Sequence, residues 1–274
     1  MNESFGARLR ARLDACGPLC VGIDPSPALL DAWGLDDSPS GLERFSRTVV
    51  ETVAEVAAVV KPQSAFFERW GSRGVAVLER AIADLREAGT LVLLDVKRGD
   101  IASTMTAYAE AYLDRGSPLA ADAVTLSPYL GFGSLTGAIA SAVANDAGVF
   151  VLARTSNPES AELQRLVAGQ VVAGATAANA GATPFGPVGL VMGATLTEVE
   201  HPLTDLNGPI LVPGVGAQGA SPADVARLFA LVRHAVLPSV SRAVLADPKR
   251  LRGRVLHYRD ECAAHLTPEA AGRR

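Results

Sequence analysis

Lysine is scarce in this chain. Of 25 basic residues among 274, only Lys61, Lys97 and Lys249 are lysines. Arginine stays protonated at any ordinary pH, whereas lysine can be tuned to release a proton. A lysine retained at the end of an apolar, strand-like run is therefore a candidate for chemistry; Lys61 and Lys97 meet that condition and Lys249 does not. Cysteine is as sparse. Cys16, Cys20 and Cys262 form no C-x-x-C pair and are odd in number, so they suit neither a zinc site nor a disulfide framework and read as buried filler. The four histidines, His201, His234, His257 and His265, fall in helical or helix-flanking segments without ligand spacing, which argues against a metal centre. No uninterrupted apolar run approaches the ~18 residues of a membrane span. The first 20 residues carry Glu3, Arg8, Arg10, Arg12 and Asp14 where a signal peptide would be apolar. A basic excess is missing too: the net charge is -4 and the pI near 5.6, against a nucleic-acid partner. The arginines at 8–12 and 250–254 alternate with apolar residues and read as solvated helix faces. The expected setting is a reducing cytoplasm, without membrane or nucleic-acid contact.

What is present is the pattern of a large α/β domain. The sequence is 49% hydrophobic and 20% charged. Eight short apolar runs recur, at 19–24, 56–61, 91–96, 123–127, 148–154, 188–193, 210–212 and 235–240. They are nearly continuous in Val, Leu and Ile, as parallel strands covered on both faces are; Pro238 weakens the last. Segments of helical period lie between them. Val75, Val77, Leu78, Ile82 and Leu85 make a stripe in 73–88 that Gly89 terminates. Ser221-Pro222-Ala223-Asp224 supplies an N-cap, a proline at N1 and an acid at N3. Asn157-Pro158-Glu159 reads as a similar start, and Asp247-Pro248 as the opening of a final helix. Eight evenly spread units favour a closed (β/α)8 TIM barrel over a doubly wound sheet. The expectation is one barrel domain over residues 1–274, with an N-terminal helix and a C-terminal helical extension. The Ala/Gly-rich segment 167–186 reads equally as a helix or as a flap.

The polar residues cluster where those runs end, which is where barrel enzymes place their chemistry. The third run ends in Asp95-Val-Lys97-Arg-Gly-Asp100-Ile101. Residues i and i+2 of a strand share a face, so Asp95 and Lys97 should project together, with Asp100 one turn later. Such a group of charges is costly unless they pair or react. The first run ends in Asp24, the second in Lys61, and the fifth is followed by Thr155-Ser156-Asn157. Taken singly, Asp24 is also explained as a turn residue and Ser156 as part of a helix start. After the seventh run comes Pro213-Gly-Val-Gly-Ala-Gln218-Gly219. Its Gly214, Gly216 and Gly219 would leave backbone N–H groups open, and Arg242 follows the eighth run. Loops after strands seven and eight often hold phosphate. No G-x-G-x-x-G follows the first strand, so a dinucleotide is not expected.

These residues resemble the orotidine 5′-phosphate decarboxylase family. The D-x-K-x-x-D-I signature is Asp95, Lys97, Asp100 and Ile101, with Lys61 completing a Lys-Asp-Lys-Asp array. The stretch 213–219 and Arg242 resemble the phosphate-binding elements. The form Thr155-Ser-Asn-Pro158 and the length of 158–187 resemble the longer bacterial subgroup. The resemblance implies that orotidine 5′-phosphate is decarboxylated to uridine 5′-phosphate, with no metal or organic cofactor. It implies Lys97 as proton donor to C6, Asp95 beside the substrate carboxylate, and Lys61 and Asp100 completing the array. Asp24 would hold ribose hydroxyls, Ser156 and Gln218 the pyrimidine edge, and Gln218 with Arg242 the phosphate. Asp100, Ile101 and Thr104 would reach the neighbouring subunit's site, which implies a homodimer. Three other readings compete. One is a Mg²⁺-dependent sugar-phosphate decarboxylase or hexulose-phosphate synthase, which uses a Glu near the end of strand two, where Glu68 would be the candidate. Another is a Schiff-base aldolase using Lys97. The last is a non-catalytic nucleotide-binding barrel.

Overall fold

The eight apolar runs become eight parallel strands: β1 (Cys20–Ile23), β2 (Val59–Pro62), β3 (Leu91–Arg98), β4 (Ala123–Leu126), β5 (Gly148–Arg154), β6 (Val188–Met192), β7 (Ile210–Pro213) and β8 (Val236–Val240). Each pairs with its successor and β8 closes onto β1, so no edge is left unpaired. The computed structural model describes residues 3–267; the expected domain span 1–274 extends beyond these at both ends. β2 begins at Val59, because Val53–Val56 is a turn leaving the preceding helix. Pro238 lies within β8 opposite Val212, and pairing to β1 starts one residue later, at Ser239.

The surrounding helices are α2 (Pro27–Ala32), α3 (Pro39–Val53), α4 (Ser64–Glu68), α5 (Gly71–Glu87), α6 (Ala102–Leu113), α7 (Thr136–Ala144), α8 (Ala161–Ala178), α9 (Pro222–Leu228), α10 (Arg242–Leu245) and α11 (Leu251–Leu266), after α1 (Phe5–Cys16) at the N-terminus. α3 buries Leu42, Phe45, Val49, Val50 and Val53, and α5 buries Val77, Leu78, Ala81, Ile82 and Leu85. Both are single apolar stripes facing the barrel. Ser221 and Asp224 form a reciprocal capping box at α9. Asp247 caps a short 3₁₀ turn that leads into α11. α1 closes the barrel's lower end: Phe5 packs edge-on against Phe150. A Cβ on Gly148 would come within 2.4 Å of the Phe5 ring.

Two stretches differ from expectation. Segment 167–186 is helical only as far as Ala178. There the buried Asn179 amide donates to the carbonyls of Val188 and Leu206 and accepts from the Val188 N–H. That side chain replaces ordinary pairing beneath β6. Between β6 and β7 no helix forms; residues 193–209 run as irregular chain. His201 therefore sits in a loop, against Gly169 of α8, and not beside a helix of its own unit. Pro202 and the turn-forming Asp205-Leu-Asn207-Gly208 leave too short an uninterrupted stretch for a helix.

Candidate active site

The barrel's C-terminal mouth opens into a cavity of about 330 Å³ lined by Asp24, Lys61, Asp95, Lys97, Gln218 and Arg242, among others. That lies within the range of small-molecule sites. A larger groove of about 890 Å³ follows the helix-free 194–204 segment and α9. It shares Gln218 with the cavity but contains neither the lysines nor Asp95.

The floor is built by β2, β3 and β4. Lys61 is buried, and its ammonium donates to Asp95 Oδ2 at 2.9 Å. Lys97 donates to the other oxygen, Oδ1, at 2.6 Å, and the Thr125 hydroxyl donates to Oδ1 at 2.8 Å. Gln63 donates from its side chain to the Asp95 carbonyl at 3.2 Å. Asp95 is thus a carboxylate clasped by two ammonium groups. Burial alone would push its pKa up; Lys61 and then Lys97 outweigh burial and hold it well below the ordinary carboxylate range. Burial would likewise push Lys61 down, but Asp95 and then Asp24 hold it above its ordinary value. The Cys20 thiol beneath them is pushed up to about 12 by burial, so it stays an inert thiol.

Lys97 meets Asp95 by a route that strand alternation does not describe. The β3–β4 register shifts between Leu94 and Arg98, and Lys97 takes φ 47°, a left-handed conformation unusual outside glycine. Its N–H donates to Thr125 Oγ1 at 3.0 Å, which fixes the bulge. The side chain of Lys97 is 46% exposed toward the mouth, against 7% for Lys61.

The rim comes from β1, β5, β7 and β8. Asp24 follows β1, and its Oδ1 is buried without a hydrogen-bond partner. Ser156 donates to Gln218 Oε1 at 2.8 Å, latching the loop after β5 to the loop after β7. Gln164 of α8 accepts the Thr155 N–H at 2.7 Å and holds that loop in place. Of the three glycines in the loop after β7 only Gly214 lines the cavity, at φ 114°, where a Cβ would meet Gln218 Oε1 at 2.8 Å. The open N–H groups expected of Gly216 and Gly219 are taken: Gly216 donates to Ala220 O and Gly219 to Gly216 O. Those two glycines shape the turn, since a Cβ on Gly216 would collide with Tyr258 and Ala243. Arg242 stands on the cavity wall at the start of α10.

Asp100, Ile101 and Thr104 stand apart. None lines the cavity. Asp100 caps the Ile101 N–H at 2.8 Å, Ile101 is 59% exposed, and Thr104 faces solvent on α6. Glu68 also lies outside the cavity; Arg98 and the Ser64 hydroxyl hold its carboxylate. Sequence reasoning missed Gln63, Thr125 and Gln164, and placed Ser239 and Ser241 at the end of the eighth run without giving either a role; all but Gln164 line the cavity. A hydroxyl inside an apolar strand, as at Thr125, was the one available signal.

Fold and site together define a (β/α)8 barrel with a lysine–aspartate–lysine cluster on its floor and an arginine at the rim. The family model for the orotidine 5′-phosphate decarboxylase / HUMPS family matches residues 17–252, and the chain belongs to that family. An orotidine 5′-phosphate decarboxylase of Salinispora tropica is 58% identical over 97% of this chain and 99% of its own length. One from Streptomyces coelicolor is 56% identical over 89% and 90%. The solved structure of a Streptomyces avermitilis protein assigned to the same enzyme is 54% identical, with TM-score 0.94 over 97% of this chain and 96% of that one.

Proposed function

We propose that this protein converts orotidine 5′-phosphate to uridine 5′-phosphate and carbon dioxide, the last step of de novo pyrimidine synthesis, with Lys97 protonating C6. The observation that carries this reading is Asp95 held between Lys61 and Lys97 at the floor of a small-molecule cavity. Loss of carbon dioxide from C6 leaves an electron pair in the ring plane, with no adjacent π system to spread it. A positioned ammonium stabilises that charge and then supplies the proton. Lys97 suits the role because it opens toward the mouth and can regain its proton from solvent after each cycle. Arginine in its place would scarcely release one. Lys61, buried and held charged, keeps Asp95 ionised beside the substrate carboxylate, and the repulsion between the two carboxylates is relieved as carbon dioxide departs.

The remaining cavity groups fit a nucleotide. Asp24 accepts from ribose hydroxyls, Ser156 and Gln218 meet the pyrimidine edge, and Gln218 and Arg242 take the phosphate. Binding energy at the phosphate, remote from C6, can be expressed in the transition state. The scheme uses no metal and no organic cofactor. Glu68, the candidate magnesium ligand of the rival sugar-phosphate reading, is committed to Arg98 and Ser64.

Asp100, Ile101 and Thr104 complete the site of a second copy in a homodimer. The apolar side chains on the loops after β3 and β4 and on the first two turns of α8 support this. Ile101, Tyr129, Leu130, Leu163 and Leu166 are each at least half exposed, on three adjacent units of one barrel end. Exposed apolar groups gathered in this way mark an interface. The test is incubation of the purified protein with orotidine 5′-phosphate in excess EDTA. Equimolar uridine 5′-phosphate and carbon dioxide are expected. A folded protein that forms neither, yet acts on a sugar phosphate once Mg²⁺ is added, would overturn the reading.

A further inference from the structure

Among the described residues, two side-chain atoms that line the catalytic cavity are buried without a hydrogen-bond partner: Asp24 Oδ1 and Ser241 Oγ. They border one niche. A Cβ on Gly22 would stand 2.6 Å from Ser241 Cβ, 3.0 Å from Ser241 Oγ and 3.3 Å from Asp24 Oδ1. The lack of a side chain at residue 22 is what lets Ser241 sit there. Buried polar groups are normally satisfied, and leaving one unmet is costly. Two such groups side by side in a cavity mark what the cavity is built to receive.

The donor inventory narrows the ligand. Ionised Asp24 only accepts, whereas a serine hydroxyl has one proton to give. A ligand satisfying both must offer a donor such as a hydroxyl to Asp24; Ser241 can either give its proton or accept one, and the charge beside it decides between the two. Arg242 follows Ser241 directly and lines the same cavity, so Ser241 stands on the positively charged side, which draws an acceptor oxygen. A sugar hydroxyl next to a phosphate ester has this polarity.

We propose that Ser241 is a substrate-binding residue whose hydroxyl donates to an oxygen of the nucleotide's 5′-phosphate, next to the ribose hydroxyl taken by Asp24. This rests on the proposed activity and adds to it a contact that the family signature residues do not include. Because Ser241 Oγ bonds to nothing in the protein, Ser241→Ala should fold as the wild type does and melt within about 1 °C of it without ligand. Its Kd for uridine 5′-phosphate, measured by calorimetry, should rise about tenfold or more, as expected for a lost hydrogen bond to a charged group. Binding of uridine, which lacks the phosphate and is followed by NMR titration, should not change. Unchanged affinity for uridine 5′-phosphate would overturn the assignment. So would equal weakening toward uridine, which would move the contact to the ribose, or a large fall in ligand-free melting temperature, which would make the role structural. Failure of the folded wild type to bind uridine 5′-phosphate at all would overturn the decarboxylase reading, and this contact with it.

Discussion

Replacing Lys61 by methionine keeps most of the side-chain volume and removes its charge. The Lys61 and Asp95 side chains are only 7% and 8% exposed. Removing one partner of a buried ion pair typically costs about 3–5 kcal/mol, because the other charge stays behind uncompensated. Asp95 would keep Lys97 and the Thr125 hydroxyl on Oδ1, so the lower end, about 3 kcal/mol, is expected. At about 2 °C per kcal/mol for a chain of this size, the melting temperature should fall by about 6 °C. The assay is urea unfolding without ligand on wild type, Lys61→Met, Asp95→Asn and the double variant. In the double variant neither charge is left stranded. Its destabilisation should therefore fall short of the sum of the single effects by at least about 1 kcal/mol. If Lys61→Met lies within about 0.5 kcal/mol of wild type, the range of ordinary surface changes, or if the effects add, then the buried pair does not have the energetics argued here.

Other consequences follow from the same geometry. Arg242→Ala should raise KM for orotidine 5′-phosphate by about 10- to 100-fold, the worth of a charge-assisted contact; steady-state kinetics showing an unchanged KM would put the phosphate elsewhere. Lys97→Ala and Asp100→Ala should each be inactive alone. Mixed in equal amounts and allowed to exchange subunits, they should regain about a quarter of wild-type activity, because half the dimers then carry one intact site of two; no recovery would refute the composite site. The array also fixes a pH signature. Asp95 is held below its ordinary 3.8, so its contribution is full above that pH and fades as acid approaches the lowered pKa. Lys61 is held above its ordinary 10.5, so its contribution is full below that pH and fades in stronger base. The stability difference between wild type and the Lys61→Met/Asp95→Asn double variant should be flat from about pH 5 to 9 and shrink outside that range. A slope near neutral pH, read from melting curves, would contradict these shifts.

The barrel was legible because its strands are short apolar runs bounded by turn residues, a pattern that period and length alone can distinguish. The scarcity of lysine isolated Lys61 and Lys97 before any contact was known. What the sequence hid is long-range or local strain. No neighbour in sequence announces that Thr125, 28 residues after Lys97, pins a left-handed lysine into a bulge. Strand alternation pointed to Lys97 by a geometry that β3 does not keep. The irregular 193–209 segment stands where a helix was expected because Pro202 and the turn residues 205–208 break it up, and Asn179, distant in sequence, takes up the Leu206 carbonyl. The glycine loop read as a cradle of open N–H groups, whereas Gly216 and Gly219 spend theirs on the turn itself. Ser241 stood at a strand end with no role assigned, because only the missing side chain of Gly22, far away in sequence, gives its hydroxyl a place to point.

The most direct test compares turnover of orotidine 5′-phosphate by wild type and Lys97→Ala in excess EDTA, with uridine 5′-phosphate binding measured on both samples. Wild type should turn over in the chelator. The variant should lose at least about a hundredfold in rate, the usual worth of a general acid, while still binding the product nucleotide. A variant that binds and still decarboxylates at the wild-type rate would contradict the assignment of Lys97 as the proton donor.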